Sequence, residues 1–498
     1  MEAFRQEIIL GTIALYMALC VLIGLWSMGR TRNPGDFFIA GRSLGPIVVS
    51  LAVFASTLSG FGFVGGPGLV YSIGVSSFWM VVISATAFGL GFFLVAKRIR
   101  MVAELRGCMS IPDVIAARYG SELARLLVAI TIVLGVLGYL ATQILAMSVV
   151  MQAILADTEM FADISLLSCV VLSSTVLVFY CVTGGVIASV YTDVLQGLVM
   201  MVAGFLILIT AMQAFDGGLR EASEIVLADD SESMMPFGAA GIITSLGWFF
   251  IFGIGLAGQP HIVTKMMMNK NLADNRSILP LSLLGYIVSA LLWISIGMVM
   301  RAVVVSGGAE PLSQPDDAAS TFLAMFASPL LAGVVFAALF SAIMSTSDAF
   351  LNIGTAAIIH DIPRALRNRP VDNELFWARV VTVVLAVVAA GFALFSYYRD
   401  ATLVALLGAF GWSTFAASLF PVLAIGLNWK RATTAGAVAA VTSALLINFV
   451  VQLAGVPLPW GISGGLAAFI TSLVLFFAVS FATPPPTLAR DIDRMMEI

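Results

Sequence analysis

Long apolar segments alternate with short polar ones along the whole chain. Each apolar segment is near the roughly 20 residues that a helix needs to cross the hydrocarbon core of a bilayer. The pattern predicts thirteen membrane-spanning helices, numbered here as spans 1 to 13: 8–28, 46–72, 75–96, 124–154, 164–184, 190–214, 241–261, 278–303, 328–358, 375–398, 401–427, 433–454 and 460–482. The sequence therefore predicts an all-α polytopic protein embedded in a lipid bilayer.

The composition supports a membrane protein. Of the 498 residues, 60% are apolar and 10% are charged, whereas a soluble protein carries about 25% charged residues. The first apolar segment, "IILGTIALYMALCVLIGLW", is too long for a signal peptide and lacks a small-residue cleavage site, so we expect a retained helix. The chain has only two histidines, which excludes a histidine-rich metal site. We expect neither an appended signalling module nor a nucleic-acid partner.

The basic residues predict how the chain is oriented. If the N-terminus lies outside, twenty of the 24 lysines and arginines fall on the inner side. Only Arg5, Arg220, Arg301 and Arg399 fall on the outer side. Basic residues accumulate in cytoplasmic loops. We therefore expect a cell-membrane protein with an outer N-terminus and a cytoplasmic C-terminus. We also expect it to function as a monomer.

Two of the predicted spans are interrupted by glycine and proline. Span 2 contains "STLSGFGFVGGPG", and span 7 contains "FGIGLAGQP". Such breaks free backbone groups, which in lipid must line a cavity or meet a ligand. Spans 2–6 and 7–11 each begin with the broken helix, which indicates an inverted-repeat transporter. We therefore expect an extra helix and loop (1–45), two repeats (46–214 and 241–427), and two C-terminal helices with a short tail (428–498).

Span 9 carries an unusual polar cluster. After the apolar run "LLAGVVFAALF" comes "SAIMSTSDAFLN", residues 341–352. Ser341, Ser345, Asp348 and Asn352 are spaced by four, three and four residues, so they form one stripe on the helix. An acidic side chain inside a membrane segment indicates a functional site.

Six motifs in order resemble one family. They are "DFFIAGRSLGP", "ASTLSGFGFVGGPG", "VTGGVIASVYTDVLQG", "GQPHIVTK", "SAIMSTSDAFLN" and "GWSTFAASLFPV". Over about residues 30–430 the chain is similar to the sodium/solute symporters that include the proline, pantothenate and sialic acid carriers. The resemblance implies a LeuT-type inverted five-helix repeat with one extra helix before it and two after it. It also implies sodium-coupled uptake of a small solute by alternating access.

The resemblance implies a sodium ion between spans 2 and 9. The matching ligands are the carbonyls of Ala55, Leu58 and Ala342 and the hydroxyls of Ser345 and Thr346. Ala342 precedes Ser345 by three residues and so lies on the same helix face. Hydroxyls and carbonyls suit sodium because they bind it without a fixed charge that would hold it too tightly.

Two aspartates leave the number of cations open. In some relatives the residue matching Asp193 helps to bind a second sodium together with span-9 hydroxyls. Here Asp348 and Ala349 stand at two of those hydroxyl positions. Asp193 and Asp348 could hold a cation between them or share a proton. Asp193 could instead be a solvated residue near the cytoplasmic mouth.

The resemblance also implies a solute pocket beside the sodium ion. The candidate contacts come from both broken spans and from spans 4 and 11: Ser59, Gly60, Phe61, Tyr139, Gln143, Trp248, Phe252, Gln259 and Trp412. Tyr139 matches the span-4 tyrosine of the proline carriers. Phe252 and Leu256 stand where those carriers have tryptophan and tyrosine, so proline is not favoured. We expect a small carboxylate or a neutral amino acid.

Other classes fit less well. No "HExxH", "GxSxG" or P-loop occurs, so we expect neither an enzyme nor an ATP-driven pump. A passive channel would not need the polar cluster of span 9. The alternatives that stay open are a proton-coupled symporter of the same fold and a transport-like membrane sensor.

Overall fold

The structure is a computed structural model. It describes residues 4–497 except 157, 159, 160, 400, 454, 455, 457, 460 and 461, and it leaves undescribed the side chains of 61, 64, 401–407, 409, 452 and 453. The α-helices are Arg5–Met28, Pro34–Ile39, Pro46–Ala55, Gly66–Ile73, Phe78–Gly91, Lys97–Arg106, Ile111–Tyr119, Glu122–Ala156, Leu166–Met212, Gly218–Asp229, Gly241–Trp248, Pro260–Val263, Asn275–Val305, Ala318–Phe326, Pro329–Ala356, Ile362–Arg367, Glu374–Arg399, Ala401–Phe420, Thr434–Leu453, Gly464–Ala482 and Arg490–Met495.

Short segments of other helix types join these elements. Five π-helical turns lie at Phe61–Gly65, Phe92–Ala96, Phe249–Gly253, Ala357–Asp361 and Pro421–Ile425. Single 3₁₀ turns lie at Ala40–Arg42, Gly74–Ser77, Ser231–Met234, Ile254–Gly258, Thr264–Met267, Leu272–Asp274 and Pro315–Asp317. Within the described residues the chain forms no β-strand, only an isolated bridge between Leu44 and Asn269. The prediction of an all-α membrane protein is confirmed.

The helices overlap all thirteen predicted spans. Within the described residues, ten helices are long and apolar enough to cross a membrane. Two shorter apolar helices lie at Pro46–Ala55 and Phe410–Ile425. Two of the ten run without interruption across the boundary between two predicted spans. Gly66–Arg106 has 41 residues, and Leu166–Met212 has 47.

Spans 5 and 6 meet at a single residue. We expected a short loop at 185–189, but the structure has only Gly185, with φ 53° and ψ −137°, between helical segments. Tyr180 and Ser189 both donate hydrogen bonds to Asp348, at 2.9 and 2.8 Å. A straight helix would separate residues nine positions apart by about 13.5 Å along its axis. The chain therefore folds back at Gly185, which brings both residues to one carboxylate.

Gly185→Ala should destabilise this hairpin. Its backbone conformation is one that residues with a Cβ rarely adopt, and the added carbon would lie 2.6 Å from Phe37 Cδ2. We expect a cost of about 1–3 kcal/mol from the backbone alone, measured as a lower unfolding temperature of purified protein. Gly107→Ala is the matched control, because Gly107 also has a positive φ but has open space around it. Equal unfolding temperatures for the two variants would contradict this account.

Both predicted breaks are present, and their glycines have a packing role as well. In span 2 the helix Pro46–Ala55 ends before the π-turn Phe61–Gly65 begins. A Cβ added at Gly62 or Gly66 would lie within 2.8 Å of the Trp293 ring, so these glycines admit that side chain. Backbone groups are freed at the start of the glycine-rich stretch, and the glycines that follow serve close helix packing.

Span 9 lies at the centre of the bundle. Ser328 is the N-cap of its helix, Pro329–Ala356, and the Ser328 side chain accepts a hydrogen bond from the Leu331 amide. Pro329 occupies the first helical position. All residues from 337 to 356 are buried. The helix packs against span 1, span 4 and the hairpin of spans 5 and 6. The polar stripe therefore faces protein and is shielded from lipid.

Candidate functional site

The break in span 2 faces the polar cluster of span 9. The Ser345 hydroxyl donates to the carbonyl of Ala55 at 2.9 Å, and the Thr346 hydroxyl donates to the carbonyl of Leu58 at 2.9 Å. Both hydroxyls also lie 3.1 Å from the Ala342 carbonyl one turn earlier. All five residues named as sodium ligands are thus brought together.

This group of atoms is compact, buried and free of fixed charge. The five residues are at most 1% exposed. Their three carbonyls and two hydroxyls are oxygen ligands of the kind that a hard cation needs when it loses its water. Ser56 adds a further contact, since its hydroxyl donates to the Ser345 carbonyl at 3.1 Å. The donor set fits a sodium ion, which is the cargo of such a site and not a resident cofactor.

Asp348 lies one turn beyond Ser345 and faces the hairpin at Gly185. Its two carboxylate oxygens accept from Tyr180 at 2.9 Å, from Ser189 at 2.8 Å and from Thr192 at 3.4 Å. The side chain is completely buried. Hydrogen-bond donors stabilise the ionised form of a buried carboxylate. Asp348 therefore sits in a shell of hydroxyls within the described part of the protein.

Asp193 has a different partner, which the sequence did not predict. It forms an ion pair with Lys265, with Lys265 Nζ 2.6 Å from Asp193 Oδ2. The side chains are 0% and 3% exposed, so Asp193 is not a solvated residue at a cytoplasmic mouth. The orientation count placed Lys265 in an inner loop. The structure buries it, as it buries Arg100 and Arg118, and without these three residues the asymmetry is seventeen against four.

Several candidate solute residues lie next to this group. The Gly60 amide donates to Gln143 Oε1 at 3.4 Å, and the neighbouring Ser59 is buried. Tyr139 is 8% exposed and Gln143 is 3% exposed. Spans 2 and 4 are thus joined by a polar contact beside the break. The side chain of Phe61 lies outside the described residues.

Spans 7 and 11 contribute an aromatic group. Trp412 lies 5.6 Å from Phe252 and 6.3 Å from Tyr139 between ring centroids. Gln259 Nε2 donates to the Trp412 carbonyl at 3.1 Å. Trp248 packs half-buried against the apolar core, and the described ring contacts of Trp412 do not include it. Eight of the nine candidates can thus be located, and the described ring contacts do not join Trp248 to the other aromatic candidates.

Sequence reasoning missed several residues of the site: Ser56, Tyr180, Ser189, Thr192, His261, Lys265 and Phe350. His261 and Lys265 both lie in the motif "GQPHIVTK", four residues apart. This motif was the one sequence feature that could have pointed to them. The His261 ring packs 4.5 Å from Phe350 and 5.9 Å from Trp412. Tyr180 and Ser189 gave no local signal, because only the turn at Gly185 brings them together.

Comparison with known proteins identifies the family of this chain. The model of the "Sodium:solute symporter family" matches residues 37–443. The chain belongs to the sodium:solute symporter family. This symporter is therefore a secondary transporter and a multi-pass membrane protein, not an enzyme. The resemblance stated from the motifs is confirmed.

Curated relatives match the symporter over nearly its whole length. It is 27% identical over 488 residues to an osmoregulated proline transporter of Bacillus subtilis, covering 97% of this chain and 96% of the relative. It is 26% identical over 502 residues to a sodium/proline symporter of Staphylococcus aureus, covering 98% and 95%. Members of the family co-transport sodium with a solute.

Two solved structures share the fold. A Na⁺-coupled sialic acid symporter in a substrate-bound, outward-open state matches with a TM-score of 0.79 and 18% identity, covering 97% of this chain and 99% of that one. Mhp1, a nucleobase-cation-symport-1 family transporter, matches with a TM-score of 0.59 and 17% identity, covering 94% and 99%. At such identities the likeness shows the fold alone, and it agrees with the predicted LeuT-type architecture.

Proposed function

We propose that this symporter takes up a small organic solute together with sodium, which binds between spans 2 and 9. The ligands would be the carbonyls of Ala55, Leu58 and Ala342 with the hydroxyls of Ser345 and Thr346. The observation that carries the proposal is the set of hydrogen bonds from both hydroxyls to carbonyls of the broken span. Two helices that move relative to one another during transport would assemble this site only when they are in contact.

The chemistry of the site supports reversible binding. When sodium binds, the hydroxyls would keep their protons but rotate them away from the carbonyls, so that each oxygen turns a lone pair toward the ion. No carboxylate belongs to the set, so the ion would not be trapped by a fixed charge. Separating span 2 from span 9 would remove the carbonyls of Ala55 and Leu58 and release the ion.

Uptake should require an inward sodium gradient and increase with membrane potential. Moving one net charge across 100 mV is worth about 2.3 kcal/mol. The measurement is uptake of labelled solutes into proteoliposomes, with imposed sodium, proton and potassium-diffusion gradients. Uptake that is unchanged without sodium and without a potential would contradict the proposal. Uptake driven by a proton gradient alone would support the proton-coupled alternative.

Ser345→Ala and Thr346→Ala should each weaken sodium binding. Each change removes one ligand and little volume, so we expect at least about a tenfold lower apparent sodium affinity, about 1.4 kcal/mol. Ser347→Ala is the control, because the Ser347 hydroxyl is equally buried but bonds back to the Ile343 carbonyl of its own helix at 2.7 Å. Sodium titrations of uptake that coincide for all three variants and the parent would place the ion elsewhere.

We further propose that the solute lies beside this ion and is a small carboxylate or a neutral amino acid. The curated relatives are proline transporters by name. Polar contacts would come from Ser59, the Gly60 amide, Gln143 and Gln259, and the apolar wall from the aromatic rings around Trp412. This balance of a few polar groups in an apolar wall is typical of small-molecule pockets. A panel of labelled neutral amino acids and short carboxylates, with proline included, tests the class.

The remaining features are also proposals. We infer that 46–214 and 241–427 form the two inverted repeats, with 1–45 and 428–498 outside them. The N-terminus would be outside and the C-terminus cytoplasmic in the cell membrane, as the basic residues indicate. The symporter would function as a monomer. Labelling of single cysteines introduced at either terminus, in intact and permeabilised cells, tests the orientation.

A further inference from the structure

Lys265 lies where the chain resumes after the break in span 7. It stands in the 3₁₀ turn Thr264–Met267 and is 3% exposed. Its ammonium group contacts three oxygens: Asp193 Oδ2 at 2.6 Å, the Ala52 carbonyl at 3.2 Å and the Ser56 hydroxyl. A buried ammonium group with three donors is thus matched to three oxygen acceptors from two other spans.

These three oxygens resemble the ligand set of a cation site. A carboxylate, a carbonyl and a hydroxyl are the ligands that hard cations prefer. The lysine ammonium is a compact point charge of the same sign and charge as sodium. The second oxygen of Asp193, Oδ1, is buried and has no hydrogen-bond partner among the described residues. Asp193 Oδ1 would therefore be a further oxygen ligand for a cation bound there.

This position adjoins the proposed sodium site. Ala52 and Ala55 are three residues apart at the end of one helix, and their carbonyls serve the two positions separately. Ser56 touches both, because its hydroxyl accepts from Lys265 and donates to the Ser345 carbonyl. The oxygens around Lys265 and those of the proposed sodium site therefore lie side by side along span 2.

We propose that the Lys265 ammonium is a tethered cation that fills a second cation position made by Asp193, Ala52 and Ser56. The symporter would accordingly bind one sodium ion per chain, at the position between spans 2 and 9. This inference rests on the proposed sodium coupling and deepens it by giving the number of ions. Asp193 would serve to hold Lys265 against span 2 and would not bind a transported ion.

Direct sodium binding tests this without knowledge of the solute. Equilibrium binding of ²²Na⁺ is measured on purified symporter in lipid nanodiscs at alkaline pH, where protons compete least for carboxylates. We expect one sodium per chain for the parent and two for Lys265→Met, because the freed Asp193 carboxylate would take a sodium in place of the ammonium. The double variant Lys265→Met with Asp193→Asn should return to one. Lys270→Met, at an exposed lysine nearby, is the matched control and should bind one.

The outcomes separate this inference from the proposed function. A parent that binds two sodium ions, one of them lost in Asp193→Asn, would overturn the tethered cation, and so would a single sodium in Lys265→Met. If Lys265→Met does not fold, the parent and the double variant Lys265→Met with Asp193→Asn still test the proposal. Each must bind one sodium with similar affinity, and any other number in either protein would contradict it. A parent that binds no sodium, or whose binding is insensitive to Ser345→Ala and Thr346→Ala, would instead contradict the proposed function.

Discussion

Asp113→Ala is expected to destabilise the symporter by about 3–5 kcal/mol, the usual result of removing one partner from a buried ion pair. Asp113 lies in the helix Ile111–Tyr119, and its side chain is 5% exposed. It forms a close ion pair with Arg125, contacts His360 Nε2 at 2.9 Å and accepts from the Met109 amide at 2.9 Å. Its loss would remove an acceptor from each of these groups and leave Arg125 with Glu122 and His360 with Glu374.

The structural reason is that Asp113 joins separate parts of the chain. Arg125 lies at the start of span 4, and His360 lies two residues past the predicted end of span 9. The His360 ring also contacts Glu374, at the start of span 10, at 2.6 Å between Nδ1 and Oε1. Asp113 thus links the ends of spans 4 and 9, and His360 extends the link to span 10, at the end of the bundle that we propose to be cytoplasmic. Removing it should loosen that end as well as lower overall stability.

The measurement is thermal unfolding of purified protein followed by tryptophan fluorescence. The control is Asp491→Ala, which removes the Asp491 partner of Arg106. Both side chains of that pair are 39% exposed, and exposed pairs contribute little to stability. We expect a clear drop in unfolding temperature for Asp113→Ala and almost none for Asp491→Ala. Similar drops in the two variants would show that burial of the Asp113 cluster is not what matters.

The stabilisation by Asp113 should also depend on pH. Burial acts to raise the pKa of Asp113, but the hydrogen bond and charge of His360, with the charge of Arg125, hold that pKa below its usual range. A group whose pKa is lower in the folded protein contributes stability above its unfolded pKa and loses it as pH falls. The difference in unfolding temperature between parent and Asp113→Ala should be full at neutral pH and shrink only below about pH 4.

Local patterns were enough to predict the helices and the polar stripe of span 9. Apolar length gives the spans, and the spacing of Ser341, Ser345, Asp348 and Asn352 gives one face of a helix. The positions of the two breaks also followed from glycine and proline. The contact of these glycines with Trp293 could not be predicted from the sequence, because Trp293 belongs to a helix more than 200 residues away.

The composition of the site required information that no local pattern contains. Ser345 and Ala55 are 290 residues apart, and they were paired only through the family resemblance. Lys265 and Asp193 were not paired at all. A count of basic residues treats every lysine at a helix end as a loop residue, so it assigned Lys265 to solvent. Burial and a partner 72 residues away decide its role, and neither is visible in the motif "GQPHIVTK".

The hairpin at Gly185 shows a similar limit. A glycine pair, Gly184 and Gly185, stands between two apolar segments, and we expected a loop of several residues there. The structure needs only one residue in a conformation that favours glycine. This tighter turn is what places Tyr180, Ser189 and Thr192 around Asp348. The environment of the acidic residue therefore could not be derived from its own helix.

Asp348→Asn is expected to lower sodium-driven uptake by about a hundredfold, about 2.8 kcal/mol, with near-normal amounts of protein in the membrane. Asp348 follows Ser345 by three residues, so it lies about 4.5 Å further along the same helix face. If Lys265 neutralises Asp193, as we propose, Asp348 is the remaining negative charge beside a sodium site made of neutral oxygens. Asparagine keeps the shape and loses that charge.

The alternative role for Asp348 is to accept hydrogen bonds from the hydroxyls around it. Asparagine could then replace it at a cost of about 1 kcal/mol, because hydroxyls both donate and accept. Tyr180→Phe separates the two roles, since it removes one donor to Asp348 and keeps the charge. We expect Tyr180→Phe to retain most of the uptake that Asp348→Asn loses.

The decisive measurements are the sodium-to-solute ratio and the pH dependence of uptake, in the parent and in Asp348→Asn. If Asp348 attracts sodium by its charge, the variant should need far more sodium for half-maximal uptake and keep the same ratio. If Asp348 carries a transported proton, the pH dependence of the parent should disappear in the variant. Equal sodium affinity, ratio and pH dependence in both proteins would mean that Asp348 acts on neither ion. Its hydroxyl shell would then serve only to pack span 9 against the hairpin at Gly185.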